Sequence, residues 1–253
     1  MANVDDPRSR TESFSALSGL YDRYFTVVPA NTPALLDAAH ALRYQVYCVE
    51  HAFEDPSQQI GERERDRYDD GAVHAVLIHN PTEQVVGCVR LILPRDIGGI
   101  SSLPLRKLLN EEDRVPLDQC DPARTAEISR YAVSKVFRRR QNEEFFPDVH
   151  VGDLPVNEVR RLVPHMSLGL IRGVGKLAAE HGITTVCAAM APALLRLLER
   201  FGLTFQALGP TIDYHGLRQP CMAECEVLLA GMAERHAEYH QLVDAAYHGR
   251  KSA

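Results

Sequence analysis

Apolar residues recur along the chain in short runs separated by Gly, Pro, Asn and Asp, and their spacing switches between a strand period of two and a helical period of 3.6. Tyr24-Phe25-Thr26-Val27-Val28 reads as a first strand. Thr32 then Pro33 is an N-cap followed by an N1 proline. Behind them Leu35, Ala39, Leu42, Val46 and Val49 repeat at helical spacing, with Arg43, Tyr47 and Glu50 beside the stripe. An acidic, glutamine-containing loop occupies residues 54–71. Residues 72–79 and 85–93 read as strands of an antiparallel hairpin turned at Asn80-Pro81. Residues 167–181 are helical and closed by Gly182, residues 183–189 form a buried strand, Pro192 opens a helix that ends at Gly202, and residues 203–208 are the strand after it. Residues 222–247 read as one final amphipathic helix. Strands and helices alternating with short links predict an α/β fold, a mixed central sheet flanked by helices and mostly parallel in the second half. Residues 1–20 read as a polar arm, about 140–165 as an insertion lying over the site, 21–220 as the main domain, and 221–253 as a C-terminal helix and tail.

One run breaks the pattern. Glu127-Ile128-Ser129-Arg130-Tyr131-Ala132-Val133 is apolar enough for a strand, yet it carries a carboxylate, a hydroxyl and a guanidinium. Strict alternation puts Glu127, Ser129 and Tyr131 on one face and Ile128, Arg130 and Ala132 on the other. Charge on both faces of a buried strand is costly, so the run predicts a functional strand in preference to a salt-bridged edge.

The 253 residues, 45% of them hydrophobic, suffice for one large core. A net charge of −6 and a pI near 6.0 give no general attraction to nucleic acid, so a polyanion must be met locally, with Arg138-Arg139-Arg140 as the candidate patch. No run approaches the roughly 18 apolar residues of a membrane span, which predicts no stable membrane insertion and a cytoplasmic protein. Six scattered cysteines predict reduced thiols. Two motifs are decoys. Arg172-Gly173-Val174-Gly175-Lys176 mimics a phosphate-binding loop but lies inside the predicted helix, where its glycines permit close packing against the sheet. Cys221, Cys225, His236 and His240 approach a zinc-finger spacing, but the stretch between them reads as continuous helix, and no metal is expected.

Leu42-Arg43-Tyr44-Gln45-Val46-Tyr47, then Glu64-x-Asp66-x-Tyr68-Asp69, then Gly87-Cys88-Val89-Arg90-Leu91 and the 127–133 run resemble, in order, the signature blocks of the acyl-homoserine-lactone synthases, within the Gcn5-related N-acyltransferase superfamily. Residues 209–221 resemble the branch described as PEP-CTERM/exosortase-associated acyltransferases, and N-acyl amino acid synthases share the core. The resemblance implies transfer of a fatty acyl group from the phosphopantetheine thioester of acyl carrier protein to an amine, with no tightly bound cofactor. The chain departs from the quorum-signal branch by having no tryptophan, so that Phe53 alone matches the aromatic after the first helix, and by the insertion and the long C-terminal helix.

Such chemistry needs a base, because a primary amine is protonated at pH 7; Glu64, Asp66, Asp69 and Glu127 are the candidates. The oxyanion would take donors from the 127–133 backbone, with Arg130 beside it. Arg43, Arg90 and Arg130 could clamp the carboxylate of an amino-acid acceptor or hold the loop carboxylates in an ion-pair network. Tyr47, Phe53, Ser129 and Tyr131 complete the expected substrate contacts. Arg138, Arg139 and Arg140 fall where the superfamily's basic loop meets phosphopantetheine, and they would attract the acidic carrier protein. Three alternatives stand beside an amino-acid acceptor: S-adenosylmethionine as acceptor with lactone formation, a catalytically silent acyl-binding protein, and acetyl-coenzyme A chemistry, against which the missing glycine loop argues.

Overall fold

The computed structural model describes residues 21–95, 97–134 and 164–249; the predicted arm, most of the predicted insertion and Arg138, Arg139 and Arg140 lie outside them. A mixed sheet runs through the molecule in the order β1-β2-β3-β4-β5-β8-β6. β1 (Phe25–Pro29), β2 (Ala72–His79), β3 (Gln84–Ile92) and β4 (Thr125–Val133) form an antiparallel half. β5 (Thr185–Met190) joins β4 in parallel through three residue pairs only, Thr125–Glu127 against Thr185–Cys187. The second half is otherwise antiparallel, which corrects the expected parallel sheet: β8 (Leu217–Glu224) pairs with β5, with the two-residue β6 (Gln206–Ala207) and, on a hairpin, with β7 (Ile212–Asp213).

α1 (Pro33–Tyr44) starts as expected, with the Thr32 side chain accepting from the Leu35 N–H and Pro33 in the first turn. It then widens into a π-helical turn over Gln45–Glu50. The extra residue per turn rotates the expected stripe, so Val49 is 58% exposed while Val46 and Cys48 are buried. α2 (Pro164–Glu180) crosses the sheet, and its glycines allow the approach: a Cβ on Gly173 would meet Ala75 at 3.0 Å, and one on Gly169 would overlap the Tyr21 hydroxyl. α3 is Pro192–Arg200. The expected helix over 222–247 is instead the end of β8 followed by α4 (Cys225–Arg235) and α5 (Ala237–Tyr247), broken at His236. Leu228, Leu229, Met232, Leu242 and Val243 of these helices belong to the main core cluster, so the C-terminal segment packs as part of the domain.

β4 does not alternate strictly. Its register with β3 shifts between Cys88↔Ala132 and Arg90↔Ser129, so three steps on β4 match two on β3, and Arg130 takes a left-handed φ of 48°. The bulge corrects the expected faces. Arg130 swings onto the side that carries Arg90, Glu127 and Ser129, while the Tyr131 hydroxyl donates to Ser167 O of α2 on the other side.

Candidate active site

α1, the 54–71 loop, β3 and β4 converge on one ion-pair network. Arg43, 0% exposed, donates through Nε to Glu64 and through Nη1 and Nη2 to both oxygens of Asp69 at 2.6 and 3.0 Å. Arg90 forms a fork on Asp66 (2.8 and 2.9 Å), adds a bond to Asp69 Oδ1 (2.8 Å) and donates from Nε to Ser129 Oγ (2.9 Å). Arg130 donates to Glu64 Oε1 (2.8 Å), Glu54 Oε1 (3.0 Å) and Asp66 Oδ2 (3.1 Å). Burial opposes the charge on Glu64, but hydrogen bonds from Arg130 and Arg43 outweigh it and hold the carboxylate below its usual range. Asp66 and Asp69 are likewise opposed by burial and held low, by Arg90 and by Arg43 respectively. Glu64, Asp66 and Asp69 are therefore fixed anions, poor at accepting a further proton.

Glu127 differs. Its side chain is 5% exposed, it pairs with no arginine among the described residues, and Oε2 accepts the Leu105 N–H at 2.7 Å. Burial pushes its pKa up to about 8, against the pull of the Leu105 N–H and of Arg90. It lies on the face of Ser129, two residues along β4.

The network borders a cavity of about 580 Å³. Because β4 and β5 share no ladder beyond Glu127 and Cys187, the strands part there, and residues 128–133 of β4 and Ala189–Met190 of β5 form opposite walls. Leu194, Leu197 and Leu198 of α3 with Leu228 and Leu229 of α4 line the deeper part. The mouth carries Tyr47, His51, Phe53, Arg130 and Arg218. Arg130 stands 5.1 Å over the Tyr47 ring and Arg218 5.4 Å over Phe53.

The expected residues thus sort into two groups. Tyr47, Phe53, Ser129, Arg130 and Tyr131 line the cavity; Arg43, Arg90, Glu64, Asp66, Asp69 and Glu127 do not. An acceptor clamp made by Arg43 or Arg90 is not what the structure shows, since both are nearly inaccessible and committed to carboxylates. Sequence reasoning missed Glu54, which Arg130 binds, and the β7–β8 hairpin bearing Tyr214, His215 and Arg218; neither has a periodic pattern to mark it. Among the described residues His40, Asp69 and His74 are the group with metal-ligand proximity; burial lowers both imidazoles, to about 4 and about 3, and keeps them neutral, while the Asp69 carboxylate is already taken by Arg43 and Arg90. Cys221 instead donates to Ala188 O within the sheet.

These features define a GNAT-type fold whose central sheet splits over an apolar cavity. Residues 42–146 match the family described as Acetyltransferase (GNAT) domain. Among solved structures, the acyl-homoserine lactone synthase LasI is similar at 19% identity and a TM-score of 0.54, over 79% of this chain and 89% of its own. BjaI, a CoA-dependent acyl-homoserine lactone synthase, gives 19% and 0.55 over 90% of each chain. FeeM, an N-acyl amino acid synthase from uncultured soil microbes, gives 14% and 0.54 over 82% of this chain and 95% of its own. No curated protein sequence matches. No helix among the described residues is long and apolar enough to cross a membrane.

Proposed function

We propose that this protein is an N-acyltransferase that moves a long fatty acyl group from the phosphopantetheine thioester of an acyl carrier protein to the amine of an amino acid or similar small amine. The observation that carries this reading is the 580 Å³ apolar cavity opening where the β4–β5 ladder ends, with the acid–arginine network at its mouth. An acyl chain seated there buries its methylenes at about 0.8 kcal/mol each. Its carbonyl would then lie along β4, where backbone N–H groups no longer committed to β5 can receive the oxyanion.

Glu54, partly exposed and bonded to Arg130 of the cavity wall, suits the incoming ammonium. Glu127, two residues from Ser129 on β4 and with its pKa raised to about 8, is mostly protonated at pH 7; its ionised fraction, which grows toward pH 8, is the form that accepts the proton of the amine. The nitrogen forms the bond to the acyl carbon, the carbon–sulfur bond breaks, and the carrier leaves as a thiolate that takes up a proton. Arg43 and Arg90 act by positioning, holding the loop against the strands. The Arg138–Arg140 segment, with its three positive charges, would meet the acidic carrier.

S-adenosylmethionine is the competing acceptor. The rings of Tyr47 and Phe53, which would wall its sulfonium, already carry Arg130 and Arg218, which favours the amino acid. The test is to incubate the pure protein with acyl carrier proteins and coenzyme A thioesters of graded chain length, each with the common amino acids or S-adenosylmethionine, and to identify products by mass. Long-chain amides from carrier-bound donors are expected. Acyl-homoserine lactone as the main product would overturn the acceptor, and equal turnover of the coenzyme A thioesters would overturn the donor.

A further inference from the structure

We infer that Arg218 binds the α-carboxylate of the acceptor and so sets specificity for amino acids over plain amines; the inference rests on the amine-acylating reading above. Arg43, Arg90 and Arg130 each pair with two or more carboxylates, whereas Arg218 lines the same cavity with no carboxylate partner among the described residues. Two of its five N–H groups are held by backbone carbonyls, Nη1 by Leu217 O at 3.0 Å and Nη2 by His215 O at 2.6 Å. The remaining edge can receive a planar anion in a fork.

The hairpin that presents it is built to be rigid. His215 and Gly216 both take left-handed φ values, 51° and 87°, closing a turn in which the Tyr214 N–H reaches Gly216 O at 2.9 Å. The His215 ring is bonded to Phe53 O at 2.9 Å, and the Arg218 guanidinium lies over the Phe53 ring. The π-helical turn, the hairpin and the cavity mouth are therefore stapled together at Phe53, and Arg218 is oriented before any acceptor arrives, which lowers the entropy lost on binding. An acceptor with its ammonium toward Glu54, which is held by Arg130 of the cavity wall, and its carboxylate on Arg218 has both charges matched, and its nitrogen stays beside β4. A plain amine satisfies the first contact only.

The experiment compares Arg218→Gln and Arg218→Lys with the wild type on matched acceptors: L-phenylalanine with phenethylamine, L-leucine with isopentylamine, and S-adenosylmethionine with its decarboxylated form, all with one long-chain acyl carrier protein. The wild type is expected to favour the carboxylate-bearing member of the pair it uses. Arg218→Gln should raise KM for that member about 10- to 100-fold, the range for a lost charge-assisted pair, while kcat and the rate with the decarboxylated amine change far less. Arg218→Lys should recover part of the preference, since an ammonium supplies charge without the fork. Equal loss on both members of a pair, or an unchanged ratio, overturns the assignment while leaving amine acylation intact. A wild type that acylates no amine overturns the underlying reading itself.

Discussion

Replacing Glu127 with Gln separates its chemical role from its structural one. Its carboxyl ordinarily has a pKa of 4.5 and is pushed up to about 8 chiefly by burial. At pH 7 roughly nine-tenths of it is then protonated, and glutamine copies that neutral form in shape. For a carboxyl whose folded pKa is raised, stability is full below the unfolded value and declines as pH rises toward the folded one. Wild-type stability should therefore lose up to about 1.4 kcal/mol for each pH unit between 4.5 and 8, relative to Glu127→Gln, which has no proton to lose. The whole window is worth roughly 3–5 kcal/mol, the pull of the Leu105 N–H being already contained in the pKa of about 8. Urea unfolding of both proteins at pH 5, 6, 7 and 8, with the m-value checked for constancy, gives the difference directly. The same variant should lower acyl transfer by about 100-fold or more and abolish the limb of the rate profile near pH 8. Parallel stability curves would refute the raised pKa. A variant as active as the wild type, with the limb retained, would remove Glu127 from the proton transfer.

Three further expectations concern its neighbours. Arg43→Met should destabilise by about 3–5 kcal/mol, because Glu64 loses the more buried of its two arginine partners and Asp69 one of two equally buried ones; a change below 1 kcal/mol in urea unfolding would refute the network as a structural unit. Burial and the nearby Arg43 lower His40 to about 4 and His74 to about 3, so stability should be full above pH 6.5 and fall on acidification below it, and His74→Gln, which stays neutral, should flatten that fall; an unchanged slope refutes it. Leu197→Trp, which fills part of the cavity, should shift donor preference to shorter chains, with kcat/KM falling roughly fourfold for each methylene excluded, as measured across a carrier series. A uniform loss at all chain lengths would place the acyl group elsewhere.

Much of this was legible in the sequence where local rules govern. The Thr32 cap, the β2–β3 hairpin and the run of charges that became the network follow from short-range pattern, and arginines set among apolar residues had to find carboxylates. The rest turned on pairing that no local pattern records. Alternation along β4 presumes an unbroken register, so the bulge at Arg130 reversed its predicted face. β8 was hidden because Pro220, Gln219 and Arg218 look like a loop, yet Pro220 sits opposite Ala189 with its carbonyl receiving the Leu208 N–H. Without β8, its helix-like tail merges with α4 in the sequence pattern, and alternating strands and helices imply a parallel second half. The π-helical turn left no mark in the stripe except Val49, an apolar residue that ended outside.

The parting of β4 from β5 has a thermodynamic consequence. The ladder between the antiparallel half of the sheet and the β5–β8 half has only three residue pairs, and the gap beyond them is lined by side chains. On the proposed function, an acyl chain in that gap would take the place of a missing neighbour, supplying burial that the protein does not provide for itself. Substrate would then be part of the fold's own cohesion: donor occupancy should slow amide exchange along residues 128–133 and in β5 more than elsewhere, and the two halves should breathe along this seam when it is empty.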